Sequence, residues 1–146
     1  MAYTEAIDTY KKYGLGKKKV DADGNIYLYM KGVASTASGS WVTYDEDYAT
    51  ALLTANAVGP VAISMAANVS ASTYSWYQVF GQNTIALSDT VAADAPLYID
   101  NTDGKVDDAG VAGDLIIGAF STDADTSGVL PVFITYPAVY NGAYLT

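Results

Sequence analysis

The sequence contains no cysteine, no histidine and no arginine, so all seven of its basic residues are lysines. Without cysteine the chain cannot form disulfides or thiolate metal sites. Without histidine it lacks the commonest general base and the commonest transition-metal ligand. Without arginine it cannot clamp a phosphate or a carboxylate through paired hydrogen bonds. These absences argue against an enzyme, and we expect no catalytic residue, no metal site and no cofactor.

Long apolar segments are also missing. No stretch approaches the roughly 20 apolar residues that a membrane-spanning helix needs. The opening MAYTEAIDTYKKYG does not follow the order of a secretory signal, in which charge precedes an apolar run. We therefore expect neither a membrane association nor a signal peptide. The 146 residues, 51% of them apolar, suffice for one domain with a sizeable core.

Charge is unevenly distributed along the chain. Residues 1–31 hold six lysines and four acidic residues, a net charge of +2. The remaining residues hold Lys105 and twelve acidic residues, a net charge of −11, and the two parts sum to −9. An acidic body repels nucleic acid, so we expect no nucleic-acid partner.

Residues 1–20 lack the periodic apolar spacing of a helix or a strand. Tyrosines and lysines are interleaved there with two glycines, a composition that suits a segment ordered by contact with a partner. We predict an extended N-terminal arm at residues 1–20, with a solvated tail as the alternative. The predicted docking residues of this arm are Tyr3, Tyr10, Lys11, Lys12, Tyr13, Lys17, Lys18 and Lys19.

One segment has the pattern of a helix. Thr43-Tyr-Asp-Glu46 fits a capping box, and Tyr48 and Leu52 follow it at helical spacing. Pro60 ends the pattern. We predict one short α-helix at about residues 45–55, an extent set by typical helix lengths.

The other apolar segments have the composition of β-strands. The predicted strands are residues 26–31, 41–44, 61–65, 74–80, 84–87, 95–99, 105–106, 115–120 and 129–136. Asp21–Asn25 indicates a turn rather than a calcium loop, because residues 26–30 add no acidic ligand. Gly81–Asn83 is a predicted turn, and Asp100–Gly104 gives the strongest hairpin signal.

Two residues within these strands predict irregular geometry. Gly118 suggests a bulge or a close backbone approach, and Pro131 suggests an edge or a bulge. Short strands spaced about ten residues apart, with one helix, are typical of a barrel or a sandwich. We therefore predict a mainly β protein: a small β-barrel or sandwich at residues 21–146, ending in a tyrosine-rich tail.

Carboxylate chemistry has few candidates. Asp107-Asp108 and the pair Asp123 and Asp125 could hold calcium or act on a glycoside. Both pairs lie in turn-like stretches, so we interpret them as solvated loop acids.

Exposed aromatic residues favour binding through surfaces. The adjacent Trp76 and Tyr77 form a candidate stacking platform for a sugar or a base, although one of the two must face the core. Tyr136, Tyr140 and Tyr144 lie near the C-terminus, and we predict that they form an interface tail.

A series of short motifs runs from residue 25 to residue 136. The motifs are Gly-Ser-Trp-Val-Thr-Tyr at 39–44, Ala-Asn-Ala-Val-Gly-Pro at 55–60, Ser-Trp-Tyr-Gln-Val-Phe-Gly at 75–81, Val-Ala-Ala-Asp-Ala-Pro-Leu-Tyr at 91–98, Gly-Lys-Val-Asp-Asp-Ala at 104–109 and Ala-Gly-Asp-Leu-Ile-Ile-Gly-Ala at 112–119. In order and style the series resembles the head decoration, or capsid cement, proteins of tailed bacteriophages.

This resemblance implies a small β-barrel that forms a homotrimer at symmetry axes of the capsid lattice. It implies a structural virion protein on the outer capsid surface, with the major capsid protein as its partner. Such a protein is made in the host cytoplasm and stiffens the shell without catalysis. The chain termini of these proteins reach toward the capsid or toward neighbouring protomers.

Three other functions remain open. A carbohydrate-binding module would use Trp41, or Trp76 with Tyr77, as its platform. A fibre or tail module of a virion would share the structural class of a decoration protein. A hydrolase would need two facing carboxylates, and the sequence offers no pair that we favour.

Overall fold

A computed structural model of the protein describes residues 7–141. In this part of the chain ten β-strands form one sheet of antiparallel pairs, which confirms the predicted mainly β class. The strands are β1 (Lys18–Val20), β2 (Ile26–Lys31), β3 (Trp41–Tyr44), β4 (Thr50–Leu52), β5 (Gly59–Ser64), β6 (Tyr74–Leu87), β7 (Pro96–Ile99), β8 (Val106–Asp107), β9 (Leu115–Ser121) and β10 (Val129–Val139). Over the described range, no helix has the length and apolar character needed to cross a membrane.

The sheet is open, with its strands in the order β1-β2-β6-β5-β10-β9-β7-β8. Strands β3 and β4 extend it beside β5, and the long β6 also pairs with β10. The sheet does not close into the predicted barrel, and its strands belong to one sheet rather than to the two sheets of the predicted sandwich. The end strands give a physical reason, since β1 is three exposed residues with two lysines and β8 is two residues long. Short or charged edges resist further pairing.

Apolar side chains cover both faces of the central strands. In β5, Val61 and Ile63 belong to the larger core, whereas Ala62 belongs to a smaller cluster on the opposite face. This alternation follows from the period of two along a strand. We call the side of the larger core, which includes Trp41 and Ile134, the inner face and the other side the outer face.

The predicted helix at residues 45–55 is wrong, because residues 45–49 form the turn of a hairpin between β3 and β4, and residues 50–52 are the strand β4. The carboxylate of Asp45 accepts hydrogen bonds from the backbone N–H groups of Asp47 and Ala49, each at 3.0 Å. Tyr48 completes the turn with a φ of 58°. Aspartate accepts backbone N–H groups in the same way at helix starts and in turns. The capping pattern therefore does not distinguish a helix start from a hairpin turn. The pairing of β3 with β5 selects the hairpin.

The strands predicted at residues 74–80 and 84–87 are one strand, β6, and the predicted turn at Gly81–Asn83 is wrong. The first half of β6 pairs with β2 and β5, and the second half pairs with β10. Gly81 lies between the halves with a φ of 113°. A Cβ atom there would clash with Oδ1 of Asn25, so this close approach requires glycine.

Several smaller predictions are confirmed. The turn at Asp21–Asn25 joins β1 to β2, and the hairpin at Asp100–Gly104 joins β7 to β8. Gly118 has a φ of 89°, lies opposite an irregularity in β10, and a Cβ there would be 3.0 Å from the carbonyl oxygen of Thr135. Pro131 lies where the pairing of β10 with β6 shifts register. The irregular strand pairing predicted from Gly118 and Pro131 is therefore confirmed.

Candidate functional site

Residues 7–20 of the predicted arm lie against the sheet and do not extend away from it. Asp8 and Tyr74 exchange two backbone hydrogen bonds, each of 2.9 Å. The N–H of Gly16 donates to the carbonyl oxygen of Tyr29 at 2.8 Å, and β1 then pairs with β2. The described part of the arm is therefore an ordered layer at the edge of the sheet.

Tyr29, in β2, bonds this layer to the sheet. Its side chain is fully buried, and its hydroxyl donates to Oδ2 of Asp8 at 2.6 Å and accepts from the N–H of Lys12 at 3.2 Å. Burial, and then the hydrogen bond to Asp8, raise the pKa of Tyr29 to about 12. The hydroxyl therefore remains a hydrogen-bond donor across the physiological pH range, and it connects the segment to β2.

Aromatic rings stack between the layer and the sheet. The ring of Tyr13 lies edge-on to Tyr29 at a centroid distance of 5.2 Å and tilted against Trp76 at 5.5 Å. Tyr29 also stacks on Tyr74 at 6.2 Å. Such pairs add about 0.5–1.5 kcal/mol each beyond the apolar area that they bury. Tyr13 remains 38% exposed, so the cluster reaches the surface.

Lysine side chains surround the exposed part of this cluster. The Nζ atoms of Lys12 and Lys17 lie 6.0 Å and 5.8 Å from the ring centroid of Tyr13. The Nζ atom of Lys19 lies 5.2 Å from the ring centroid of Trp76. These distances are those of cation–π contacts. We call Lys12, Tyr13, Lys17, Lys19 and Trp76 the basic patch.

The remaining predicted arm residues are exposed or lie outside the described range. Tyr10 is 65% exposed, and Lys11 and Lys18 are also exposed. Tyr3 lies outside the described residues. The nearby carboxylate of Asp21 is occupied by the turn: slight burial raises its pKa, but hydrogen bonds from Asn25 and others outweigh this and lower the pKa. Asp21 is therefore a turn residue that stays ionised.

The predicted interface tail is divided by the structure. Tyr136 and Tyr140 are 52% and 51% exposed, whereas Tyr144 lies outside the described residues. The strand β10 continues to Val139, beyond its predicted end at residue 136. Tyr136 has a φ of 49°, a left-handed conformation that is costly for a bulky side chain. This kink sets the Tyr136 ring 6.0 Å from the ring of Phe80.

An aromatic stripe that the sequence did not predict crosses the outer face of the sheet. The rings of Phe80 and Phe133 lie 5.9 Å apart, and those of Phe120 and Phe133 lie 6.1 Å apart. We call Phe80, Phe120, Phe133 and Tyr136 the aromatic stripe. Its members come from β6, β9 and β10, so only the pairing of distant strands brings them together.

Of the predicted sugar platform, only one side chain is accessible. Trp41 is fully buried, and its indole N–H donates to the carbonyl oxygen of Leu87 at 3.1 Å. Tyr77 is also fully buried, and its hydroxyl accepts from the side-chain amide of Asn68 at 2.7 Å. Trp76 is half-buried within the basic patch. The expectation that one member of the Trp76–Tyr77 pair faces the interior is confirmed.

The predicted acidic pairs are structural. Oδ2 of Asp108 accepts from the N–H of Ala92 at 2.9 Å, and Oδ1 of Asp125 accepts from the N–H of Val91 at 2.8 Å. Asp123 accepts from the next N–H along the chain. These carboxylates hold loops at the end of the sheet. Within residues 7–141 no group of three or more acidic residues is arranged to hold a metal ion.

A different acidic pair, which the sequence reasoning missed, flanks the β7–β8 hairpin. Asp100 is 3% exposed and accepts from the N–H of Thr102 at 2.8 Å. Partial burial, and then a hydrogen bond shared with the Asp100 carboxyl, raise the pKa of Asp107 to about 6. Burial opposes ionisation of Asp100, but hydrogen bonds from Thr102 and Asp107 lower its pKa. Asp100 opens the predicted hairpin turn and Asp107 follows it, but the strand register pairs Asp107 with Tyr98, so no simple spacing in the sequence would have paired the two acids.

A shallow groove of about 460 Å³ lies beside the β3–β4 hairpin. Its lining residues are Tyr44, Asp45, Glu46, Tyr48, Val58, Gly59 and Pro60. Burial, and then the neighbouring Tyr48 and Tyr136, raise the pKa of Tyr44. The groove thus adjoins the aromatic stripe, and it holds two acidic side chains but no nucleophile paired with a base.

No protein-family model, no curated protein and no solved structure matches the chain.

Proposed function

We propose that this chain is a structural protein of a tailed-bacteriophage virion that binds the outer surface of the capsid and stabilises the shell. The observation that carries the proposal is the basic patch, in which three lysines surround two accessible rings on a protein of net charge −9. Aromatic side chains with a polar surround are typical of protein interfaces. A basic surface on an acidic molecule selects an acidic partner surface and a defined orientation.

The order of strands in the sheet supports this orientation. The strand β1 and its lysines lie at one end, whereas β7 and β8 lie at the other. The loops and strands of that far end hold Asp94, Asp103, Asp107 and Asp108, with Lys105 among them. An acidic shell therefore attracts the basic end and repels the acidic end, which turns the latter toward solvent.

The ordered state of residues 7–20 also favours tight docking. A segment that orders only on binding loses about 0.5–1.5 kcal/mol for each immobilised side chain. Here Tyr29 and the β1–β2 pairing order the segment beforehand. The described part of the arm thus acts as a preformed surface rather than as a flexible tether.

Binding of many copies to one capsid lattice lowers the affinity that each copy needs for the capsid. We propose that the protein is a homotrimer whose partner is the major capsid protein, as the resemblance to decoration proteins implies. Three linked copies bind with an effective concentration that multiplies a weak contact. A weak basic patch on each protomer then suffices, and the protein stiffens the shell by bridging subunits without catalysis.

A carbohydrate-binding function is the second candidate, because Trp76 and Tyr10 are accessible beside lysines. It predicts that a sugar quenches the fluorescence of Trp76, whereas the buried Trp41 is insensitive. Titration of the protein and of Trp76→Phe with neutral and acidic oligosaccharides separates the two. Quenching in the wild type but not in Trp76→Phe would support carbohydrate binding. The absence of quenching in both proteins would count against carbohydrate binding and in favour of the capsid proposal.

Cryo-electron microscopy of phage particles made with and without this chain tests the proposed function. We expect extra density on the outer shell, at threefold or quasi-threefold positions, only when the chain is present. Equal density on the two kinds of particle would overturn the proposal. Heating both particles tests the stabilising role, since shells with the protein should retain their DNA at a higher temperature.

Charge reversal in the basic patch tests the docking surface. Lys17→Glu should weaken cosedimentation of the protein with purified shells about tenfold, because a steering charge becomes repulsive. Lys105→Glu makes the same charge change at the opposite end of the sheet and is the matched control. Equal loss of binding in both variants would show that net charge matters and the patch does not.

A further inference from the structure

We propose that the shallow groove beside the β3–β4 hairpin binds a cationic side chain, a lysine or an arginine, that a partner protein presents. The groove lies on the outer face, because its rings Tyr44 and Tyr48 pack against the smaller core cluster. The basic patch is formed by other residues and carries the opposite charge. The groove is therefore a second site, and its ligand does not depend on the proposed function.

The charge of the groove selects a cation. Asp45 and Glu46 line it, whereas none of the seven lysines of the chain, all of which the structure describes, does so. Asp45 accepts the N–H groups of the hairpin through Oδ1. Over the described residues, the exposed carboxylate of Glu46 accepts no hydrogen bond and forms no ion pair. The neighbouring Asp47 is exposed as well, so the local field attracts cations and repels anions.

The two rings of the groove select an organic cation over a metal ion. The rings of Tyr44 and Tyr48 are nearly parallel, with an angle of 17° between their planes and centroids 6.0 Å apart. Ring faces attract ammonium and guanidinium groups. The methylene chain behind such a group covers apolar surface, which Val58 and Pro60 provide here. Calcium and magnesium instead need several oxygen ligands close together, and residues 7–141 hold no group of three acidic residues arranged for one.

One wall of the groove is preformed. A Cβ atom at Gly16 would clash with the ring of Tyr48, so this ring lies directly on the backbone of Gly16. The carbonyl oxygen of Tyr48 accepts from the N–H of Lys31 at 3.0 Å, which fixes the hairpin beside the end of β2. A ring that is already held in place loses little freedom on binding, so the groove needs no rearrangement there to accept a ligand.

The open shape of the groove favours a side chain carried by a protein over a free small molecule. A site for a small molecule encloses most of the surface of its ligand. This groove is shallow, and Val58 in its wall is 66% exposed. A single side chain suits such a surface, because the protein that carries it supplies further contacts around the rim.

Amide NMR spectra of the isotope-labelled full chain, titrated with capped tripeptides, test this site. We expect acetyl-Gly-Lys-Gly-amide and acetyl-Gly-Arg-Gly-amide to shift the signals of Glu46, Tyr48 and Val58 in a saturable manner. The uncharged acetyl-Gly-Gln-Gly-amide should leave these signals in place. Glu46→Gln and Tyr44→Leu should each weaken binding of the cationic peptides about two- to fivefold, the range of an exposed ion pair or cation–π contact.

Two matched controls separate the groove from the acidity of the whole molecule. Asp123→Asn removes one negative charge beside Pro131, whereas the groove adjoins the other end of β10, where Gly59 pairs with Val139. Tyr10→Leu removes a ring that is 65% exposed outside the groove. Both controls should bind the cationic peptides as the wild type does. Dispersed amide signals in each variant verify that its fold is intact.

Several outcomes would overturn the assignment of this site. Shifts spread evenly over the acidic loops would mean general electrostatic attraction to the molecule. Equal affinities of Glu46→Gln, Tyr44→Leu and the wild type would place the cation elsewhere. Calcium chloride that shifts Glu46 where the peptides do not would indicate a metal site, and tetramethylammonium that binds more tightly than both peptides would indicate a small amine as the ligand. None of these results depends on binding to shells.

Discussion

The carboxyl groups of Asp107 and Asp100 share a hydrogen bond. Asp100 is almost completely buried. Burial and this neighbour raise the pKa of Asp107 from 3.8 to about 6. The folded state therefore holds a proton that the unfolded chain releases near pH 3.8. The stability contributed by that proton is fully present below pH 3.8 and is lost as the pH rises through about 6. Asp100, whose pKa is lowered below 3.8, is ionised in the folded state throughout that window.

The variant Asp107→Asn should stabilise the protein at pH 7.5 more than at pH 5, because asparagine cannot acquire the unfavourable charge. Thermal unfolding at the two pH values measures the difference. Asp103→Asn removes the same charge from an exposed site in the same hairpin and is the control. A gain in Tm for Asp107→Asn that is equal at both pH values would contradict the assignment of the shared proton.

Strand β6 is central to the fold, because it pairs with β2, β5 and β10. Its bend at Gly81 lets one strand serve these partners. The close approach of Asn25 stabilises the bend, since Oδ1 of Asn25 accepts the N–H of Gln82 at 3.1 Å. A side chain at position 81 would therefore disturb both the bend and the β1–β2 turn.

Gly81→Ala should lower the free energy of unfolding by about 3 kcal/mol, from strain at positive φ together with the clash at Asn25. Urea denaturation measures this loss. Gly14→Ala is the control, because a Cβ at Gly14 would meet no atom within 4 Å and its φ is not positive. A loss as small for Gly81→Ala as for the control would mean that β6 does not need its bend.

Local signals predicted some elements and failed at others. The Asp100–Gly104 hairpin, the Asp21–Asn25 turn and the irregularities at Gly118 and Pro131 follow from backbone chemistry that acts within a few residues, and all four are confirmed. The helix at residues 45–55 fails because aspartate caps turns and helices through the same hydrogen bonds. The choice between them depends on pairing of β3 with β5, which no local pattern contains.

The whole molecule carries a net charge of −9 with acidic residues concentrated toward one end of the sheet. Repulsion among these residues destabilises the folded state and is screened by salt. Basic residues occupy the other end, where they form the basic patch. The molecule is thus electrically polarised along the strand order, and we expect salt to raise its stability and to weaken the proposed docking.

Raising NaCl from about 0.05 M to about 0.5 M should increase the Tm by about 2–4 °C, the shift that about 1 kcal/mol produces in a domain of this size. Scanning calorimetry measures it. Each replacement in the double variant Asp89→Lys, Asp103→Lys raises the net charge by 2, so the two together change it from −9 to −5. The salt-induced increase in Tm should therefore be smaller in this variant. An undiminished gain in the double variant would point to a general salt effect on apolar burial instead of screening.

The sequence by itself determined the properties that composition and short-range chemistry control. The β class, the chemistry excluded by the missing residue types, the turns and the uneven charge all depend on residue type or on neighbours in the chain. Only the tertiary structure decided that the sheet stays open, that Tyr29 holds residues 7–20 against it, and that Phe80, Phe120 and Phe133 form one stripe. Those features arise from pairing between strands far apart in sequence, where register and burial, rather than residue type, decide which side chains meet.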